Sequence, residues 1–179
     1  MKAPFFTVGH STRPIEAFVA LLAAGGVTLV ADIRSVPRSR ANPQFNRDTL
    51  PDELARFDIG YEHLADLGGL RGRSKTVGPE VNGLWHNASF HNYADYALTD
   101  AFRAGLERLI ALGRERRCAM MCSEAVWWRC HRWIVADHLI ARGERVFHLM
   151  NETTVTPARL TEGARVATDG SMTYPSRGY

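Results

Sequence analysis

A single α/β domain with a mainly parallel central sheet flanked by helices is the fold this sequence predicts, and three observations predict it. Short apolar runs alternate with stretches of helical periodicity from residue 5 to residue 150, the order that builds parallel sheets. The 179 residues, 45% of them hydrophobic, suffice for one sizeable core and call for no second. Neither an internal repeat nor a low-complexity segment interrupts the alternation.

Each element follows from its own residues. Phe5 to Gly9 reads as a first strand, and Pro14 to Ala24 as a helix introduced by Ser11 or Thr12 and stopped by Gly25-Gly26. Thr28 to Ile33 is a second apolar strand, followed by a polar, proline-bearing loop over 34–47. Thr49 to Phe57 reads as a helix capped by Asp48 or Thr49, and Gly60 to Leu64 as a short extended segment. Residues 68–92 carry glycine, proline and mixed polar residues at a length typical of a functional loop, so a lid is expected there. Tyr93 to Arg114 has helical periodicity broken near Thr99-Asp100. Cys118 to Met121 is an uncharged strand ending at Cys122, a helix spans about Arg129 to Ala141 with Gly143 as its stop, and Arg145 to Met150 is the last strand. The α/β domain is thus expected over 1–156, and 157–179, without clear periodicity, as a tail that packs on the surface or is partly disordered.

Three cysteines argue against a disulfide framework and for a reducing, cytoplasmic setting. The N-terminus lacks the apolar core of a signal peptide, and no run of roughly 18 apolar residues could span a membrane. Two sequons, Asn87-Ala88-Ser89 and Asn151-Glu152-Thr153, are read as chance matches. The formal charge of +3 is modest, yet 20 of the 22 basic residues are Arg, the side chain suited to bidentate contact with oxyanions. Arg34, Arg38, Arg40 and Arg47 fall in one acid-free segment, and Arg71, Arg73 and Lys75 in another. That clustering points to a local anion site, with a solvated Arg-rich loop as the alternative.

Parallel strands would bring His10, Asp32, Arg34 and Cys122 to one edge of the sheet, where ligands bind in such folds. A thiolate at Cys122 would be stabilised by the following helix N-terminus and by Arg34, Arg129 or Arg132. His10 or His131 would orient it, and Glu124, two residues on, is a candidate acid or base. Arg38 and His63 complete the expected substrate contacts. A buried structural Cys122 is the alternative. No cofactor is expected; Cys122, Cys130 and histidines could hold a metal, although the spacing matches no compact zinc pattern. Trp127 and Trp128 read as core anchors rather than a base-stacking platform, and Phe90, Tyr93 and Tyr96 as helix packing.

Four blocks of sequence carry a family resemblance. Thr7-Val8-Gly9-His10-Ser11, Asp32 through Ser39, Tyr61-Glu62-His63-Leu64 with Leu67-Gly68-Gly69, and Met121 through Glu124 with Cys130-His131-Arg132 resemble the DUF488 family, in order along most of the chain. That family is defined by sequence, so the resemblance implies where to look and no particular activity. A looser similarity, to rhodanese-like domains, rests on the Asp32-Ile33-Arg34 strand end, the cysteine closing a later strand, and the run from Leu139 to Leu149. Rhodaneses resemble cysteine phosphatases in a five-residue loop between Cys and Arg. Here six residues, Ser123 to Trp128, separate Cys122 from Arg129, with two Trp and no Gly, which suits backbone cradling poorly.

Two functions follow as expectations. The first is an enzyme in which Cys122 attacks a small phosphate- or sulfur-containing anion. The second is a non-catalytic module for phosphate, nucleotide or nucleic acid that uses the arginine loops. A charge of +3 and the absence of a nucleic-acid motif favour a small anion.

Overall fold

The computed structural model describes residues 1–177. Five strands run parallel: β1 (Phe5–Gly9), β2 (Leu29–Asp32), β3 (Gly60–His63), β4 (Cys118–Cys122) and β5 (Val146–Leu149). A sixth, β6 (Val155–Pro157), pairs antiparallel with β5, giving the order β3-β2-β4-β1-β5-β6. Alternate residues of each strand feed opposite faces. Phe6, Val8, Val30, Ala119 and Met121 pack beneath helices α1 (Ile15–Ala24) and α2 (Leu50–Ala55). Phe5, Leu29, Ala31, Cys118 and Met120 pack beneath α3 (Ala88–Tyr96), α4 (Asp100–Glu115) and α5 (Arg132–Ala141). Helix α1 buries Ile15, Phe18, Leu21 and Leu22 along one stripe. Each contributes about 1.5–3 kcal/mol as an upper figure.

The topology selects one point on the sheet edge. After β1 the chain crosses to β2 by α1 on one face, and after β4 it crosses to β5 by α5 on the other. Strands β1 and β4 are neighbours, with Gly9 opposite Cys122. Chains leaving adjacent strand ends for opposite faces open a crevice between them, and Cys122 stands at its base.

Several boundaries differ from expectation for local reasons. Neither Ser11 nor Thr12 caps α1: Ser11 takes a left-handed turn with φ 49°, and Pro14 occupies the N-cap position. Thr49 precedes α2 without capping it through its side chain. Helix α5 begins at Arg132 rather than Arg129, because Trp127–Arg129 form a 3-10 turn and Cys130 is extended. The expected 68–92 loop ends at Asn87, whose side-chain carbonyl accepts the N–H groups of Ser89 and Phe90 and caps α3. That segment is tied down in its second half, where Trp85 and Asn82 are buried and Asn82 bridges Asp95 and the backbone of Tyr174.

Residues 157–177 hold a small antiparallel pair, β7 (Arg165–Val166) with β8 (Met172–Thr173), and bury Met172 and Tyr174 completely. Asp137 of α5 accepts from the Tyr174 hydroxyl and from the N–H and hydroxyl of Thr161, fastening this segment to the domain. Residues 178 and 179 of the expected tail lie outside the described residues.

Candidate active site at the β1–β4 edge

Cys122 ends β4 with its sulfur buried but facing a cavity of about 420 Å³. Its nearest charge is Arg132 in the first turn of α5. Arg132 is among the largest fully buried side chains, 1% exposed, and none of its hydrogen bonds goes to a carboxylate. One terminal nitrogen donates to Cys122 Sγ at 2.9 Å and to the Glu124 carbonyl at 2.7 Å. The other donates to the Ala125 carbonyl at 3.2 Å, and Nε donates to Thr7 Oγ1 at 3.2 Å. Burial lowers the Arg132 pKa to about 9, with the more distant Glu124 charge opposing; the side chain still carries its charge at neutral pH.

Polar residues inside otherwise apolar strands hold this arginine. Thr7 on β1 lies opposite His148 on β5, and the Thr7 hydroxyl, accepting from Arg132, donates to His148 Nδ1 at 2.6 Å. Trp127 stacks on the His148 ring at 4.6 Å. Burial keeps His148 neutral, with its pKa lowered to about 3. Gly9 permits the loop to cross above β1, since a Cβ there would overlap the Glu124 carbonyl oxygen.

The arginines divide into spent and free. Arg34 is buried and forks onto Asp32 through Nε at 2.9 Å and a terminal nitrogen at 2.7 Å, while Tyr61 donates to the same carboxylate. Its remaining donors reach the Phe45 carbonyl and His10 Nε2. Arg71 is committed to the carbonyls of Ala65 and Gly68 and lies over the Tyr96 ring. Arg38 and Arg129 are exposed on the cavity rim, and neither forms an ion pair among the described residues.

The predicted site residues therefore separate. Cys122, Arg132, His131, Glu124, Arg129 and Arg38 gather around the cavity or its floor. Asp32 and Arg34 form its closed ionic side. His10 donates Nδ1–H to the Ser11 carbonyl, faces Arg34 with Nε2 and stacks on Phe45, so it orients Arg34 rather than Cys122. Burial lowers its pKa to about 4. His63 donates Nε2–H to the Arg34 carbonyl, outside the cavity lining. Trp127 is half-buried, whereas Trp128 is 46% exposed and anchors no core.

The structure adds Cys130, which sequence reading considered only as a metal ligand. Cys122 and Cys130 are placed as a disulfide pair, contrary to expectation from the odd cysteine count. Their Cα atoms are 7.5 Å apart, wider than the roughly 4.4–6.8 Å that relaxed disulfides span, so the backbone suits two neighbouring thiols at least as well. Cys130 Sγ accepts the Arg132 backbone N–H at 3.4 Å and lies 3.5 Å from His131 Nδ1. His131 Nε2 donates to the Ile33 carbonyl at 2.8 Å, which leaves the Nδ1 lone pair facing the thiol. Both sulfurs and a His131 ring nitrogen lie within 4.8 Å of one another, close enough to share one soft metal ion, and His10 stands outside that group. Gly69 presses against the His131 ring, where a Cβ would collide. Asn87 and Ser89, at the start of α3, complete the far wall.

A pair of cysteines beside a buried arginine thus stands at the C-terminal edge of a parallel α/β sheet. The chain belongs to the DUF488 family: the family model described as "Domain of unknown function DUF488" matches residues 14–139, more than half of the chain. Three of the four resembling blocks lie inside that match, and Thr7–Ser11 precedes it. A search of curated proteins and a search of solved structures each find no match. Among the described residues, no helix is long and apolar enough to cross a membrane.

Proposed function

We propose that the protein is a cysteine-dependent enzyme acting on a small anionic substrate that contains phosphate or sulfur, with Cys122 as its nucleophile. The buried Arg132 guanidinium carries this reading. A buried cation needs a counter-charge, since the desolvation cost of an isolated ion is several kcal/mol. Arg132 donates to a threonine hydroxyl, two carbonyls and the Cys122 sulfur; the Glu124 charge acts on it from farther off, and of its direct partners only the sulfur can become an anion. A thiolate at Cys122 neutralises the pair and is the nucleophilic form of the residue.

The remaining roles follow from position. Arg38 and Arg129, free of ion pairs on the rim, hold the substrate's charge. The exposed Glu124 carboxylate stands beside the cavity as a candidate general base. His10 and Arg34 with Asp32 keep that side of the cavity fixed.

Competing alkylation tests the proposal. With the protein kept reduced, iodoacetate and iodoacetamide are offered to Cys122 at neutral pH and modification is read by mass spectrometry. Cys122 is expected to prefer the anionic reagent, and Arg38→Ala with Arg129→Ala to lose that preference. Equal rates for both reagents in every variant would count against an anion site. Sulfate binding that survives Cys122→Ser, beside a Cys122 that resists both reagents, would instead describe a non-catalytic anion-binding module.

A further inference from the structure

We infer that Cys130 is the resolving thiol of Cys122, and that the substrate is an electrophilic sulfur compound, a small acidic disulfide. The inference deepens the proposed function and rests on Cys122 being the nucleophile. Three observations carry it. The two sulfurs adjoin and both face the same cavity. Each has its own means of bearing or losing a proton: Cys122 has the Arg132 guanidinium, and Cys130 has the first N–H of α5 and the His131 Nδ1 lone pair. One buried cation balances one thiolate, so the pair rests as one thiolate and one thiol, the state a nucleophile and its resolver require. The structure places the two sulfurs as a bonded pair, the closed form that resolution produces.

The chemistry balances without further groups. The Cys122 thiolate attacks one sulfur of the substrate disulfide. A Cys122–sulfur bond forms, the substrate S–S bond breaks, and the first thiolate leaves with its electron pair. Cys130, whose sulfur lies against His131 Nδ1, then attacks Cys122 Sγ and gives up its proton. The Cys122–Cys130 bond forms, and the second substrate thiolate leaves and takes up that proton. The protein's thiolate–thiol pair is oxidised to a disulfide, and one substrate disulfide is reduced to one thiol and one thiolate, the latter protonated by solvent water; an external dithiol resets the pair by the reverse exchange. The acidic groups of the substrate meet Arg38 and Arg129 on the rim.

Glutathione disulfide, an acidic disulfide, serves as the probe on the reduced full chain. The wild type is expected to release two thiols per chain and to end with Cys122 linked to Cys130, seen in a non-reduced peptide map. Cys130→Ser is expected to stop after one thiol, with glutathione retained on Cys122 for at least roughly tenfold longer than in the wild type, because closure is intramolecular. A wild type that accumulates glutathione on Cys122 without closing overturns the resolving role and leaves the nucleophile standing. No reaction at Cys122 in either protein overturns both. Stoichiometric zinc in the purified wild type, lost in Cys130→Ser, also overturns the inference by making the cluster a metal site. The wild-type stoichiometry decides even where the variant fails to fold.

Discussion

Replacing Arg132 with Met should convert Cys122 from a thiolate at neutral pH to an ordinary buried thiol. The magnitude follows from two features of the molecule. At the 2.9 Å separation from Cys122 Sγ, a unit charge pair at an effective dielectric of about 20 attracts by roughly 6 kcal/mol. Burial opposes this, and Cys118 on the same strand measures by how much. Burial is the largest influence on the Cys118 thiol, ahead of the Ala31 backbone and the smaller opposing charges of Glu62 and Arg116, and pushes it from 9.0 up to about 12, which corresponds to about 4 kcal/mol. The difference of about 2 kcal/mol favours the Cys122 thiolate more than tenfold relative to a free thiol at the same pH, enough to ionise a substantial fraction near neutrality, and Arg132→Met removes the attraction while keeping the burial. The assay is an ultraviolet thiolate titration of the reduced protein, wild type against variant, with circular dichroism confirming that both are folded. The thiolate absorbance at neutral pH should vanish in Arg132→Met and return in part in Arg132→Lys. Identical titrations for wild type and Arg132→Met would refute the reasoning, since the guanidinium would then not hold the sulfur's charge.

Other consequences of the same geometry can be measured independently. Gly9→Ala forces the Glu124 carbonyl away from β1, so it should cost about 1–3 kcal/mol and slow Cys122 alkylation as Arg132 loses its carbonyl anchors; unchanged alkylation would deny that coupling. Asp137→Ala strips the acceptor from Thr161 and the buried Tyr174. A loss of about 2–4 kcal/mol is expected, seen as a melting temperature lower by roughly 5–15 °C; a change of only a degree or two would mean that residues 157–177 contribute little stability. Burial lowers the pKa of His10, His131 and His138 to about 4 and that of His148 to about 3. The unfolded chain, titrating near 6.5, therefore binds more protons across that interval. Stability should be level above about pH 6.5 and fall as pH drops toward 4, by at least about 2 kcal/mol at about pH 5. Urea titrations showing equal stability at about pH 7 and 5 would contradict the buried, neutral state of these rings.

Much of the fold was legible in the chain because β1, β2 and β4 are short apolar runs and α1 carries an apolar stripe. The break at Thr99 followed from the same periodicity, and Thr99 caps α4. What periodicity could not show was which arginine reaches Cys122. The spacing drew attention to Arg129, but the 3-10 turn at 127–129 points that side chain outward, and only the start of α5 returns Arg132 beneath the sulfur. Thr7 and His148 left a signal that was passed over: each is a polar residue inside an apolar strand, and parallel register sets them side by side. His10 shared the sheet edge with Cys122 as expected, yet its hydrogen bonds went to Ser11 and Arg34, a choice made by side-chain packing against Phe45. The Cys130 contact depends on the path of the intervening loop, and no local pattern encodes that path.

The most direct test of a thiolate at Cys122 is the pH dependence of its alkylation in the reduced wild-type protein. Peptide mass spectrometry with iodoacetamide would read Cys122 against Cys118 and Cys130 in the same molecules. If the Arg132 guanidinium holds Cys122 as its counter-ion, the Cys122 midpoint lies well below the free-thiol value of about 8.5, and Cys118 stays unreactive across the neutral range. A Cys122 midpoint at or above that value, or a Cys122 as inert as Cys118, would make it a structural cysteine and contradict the proposed nucleophile.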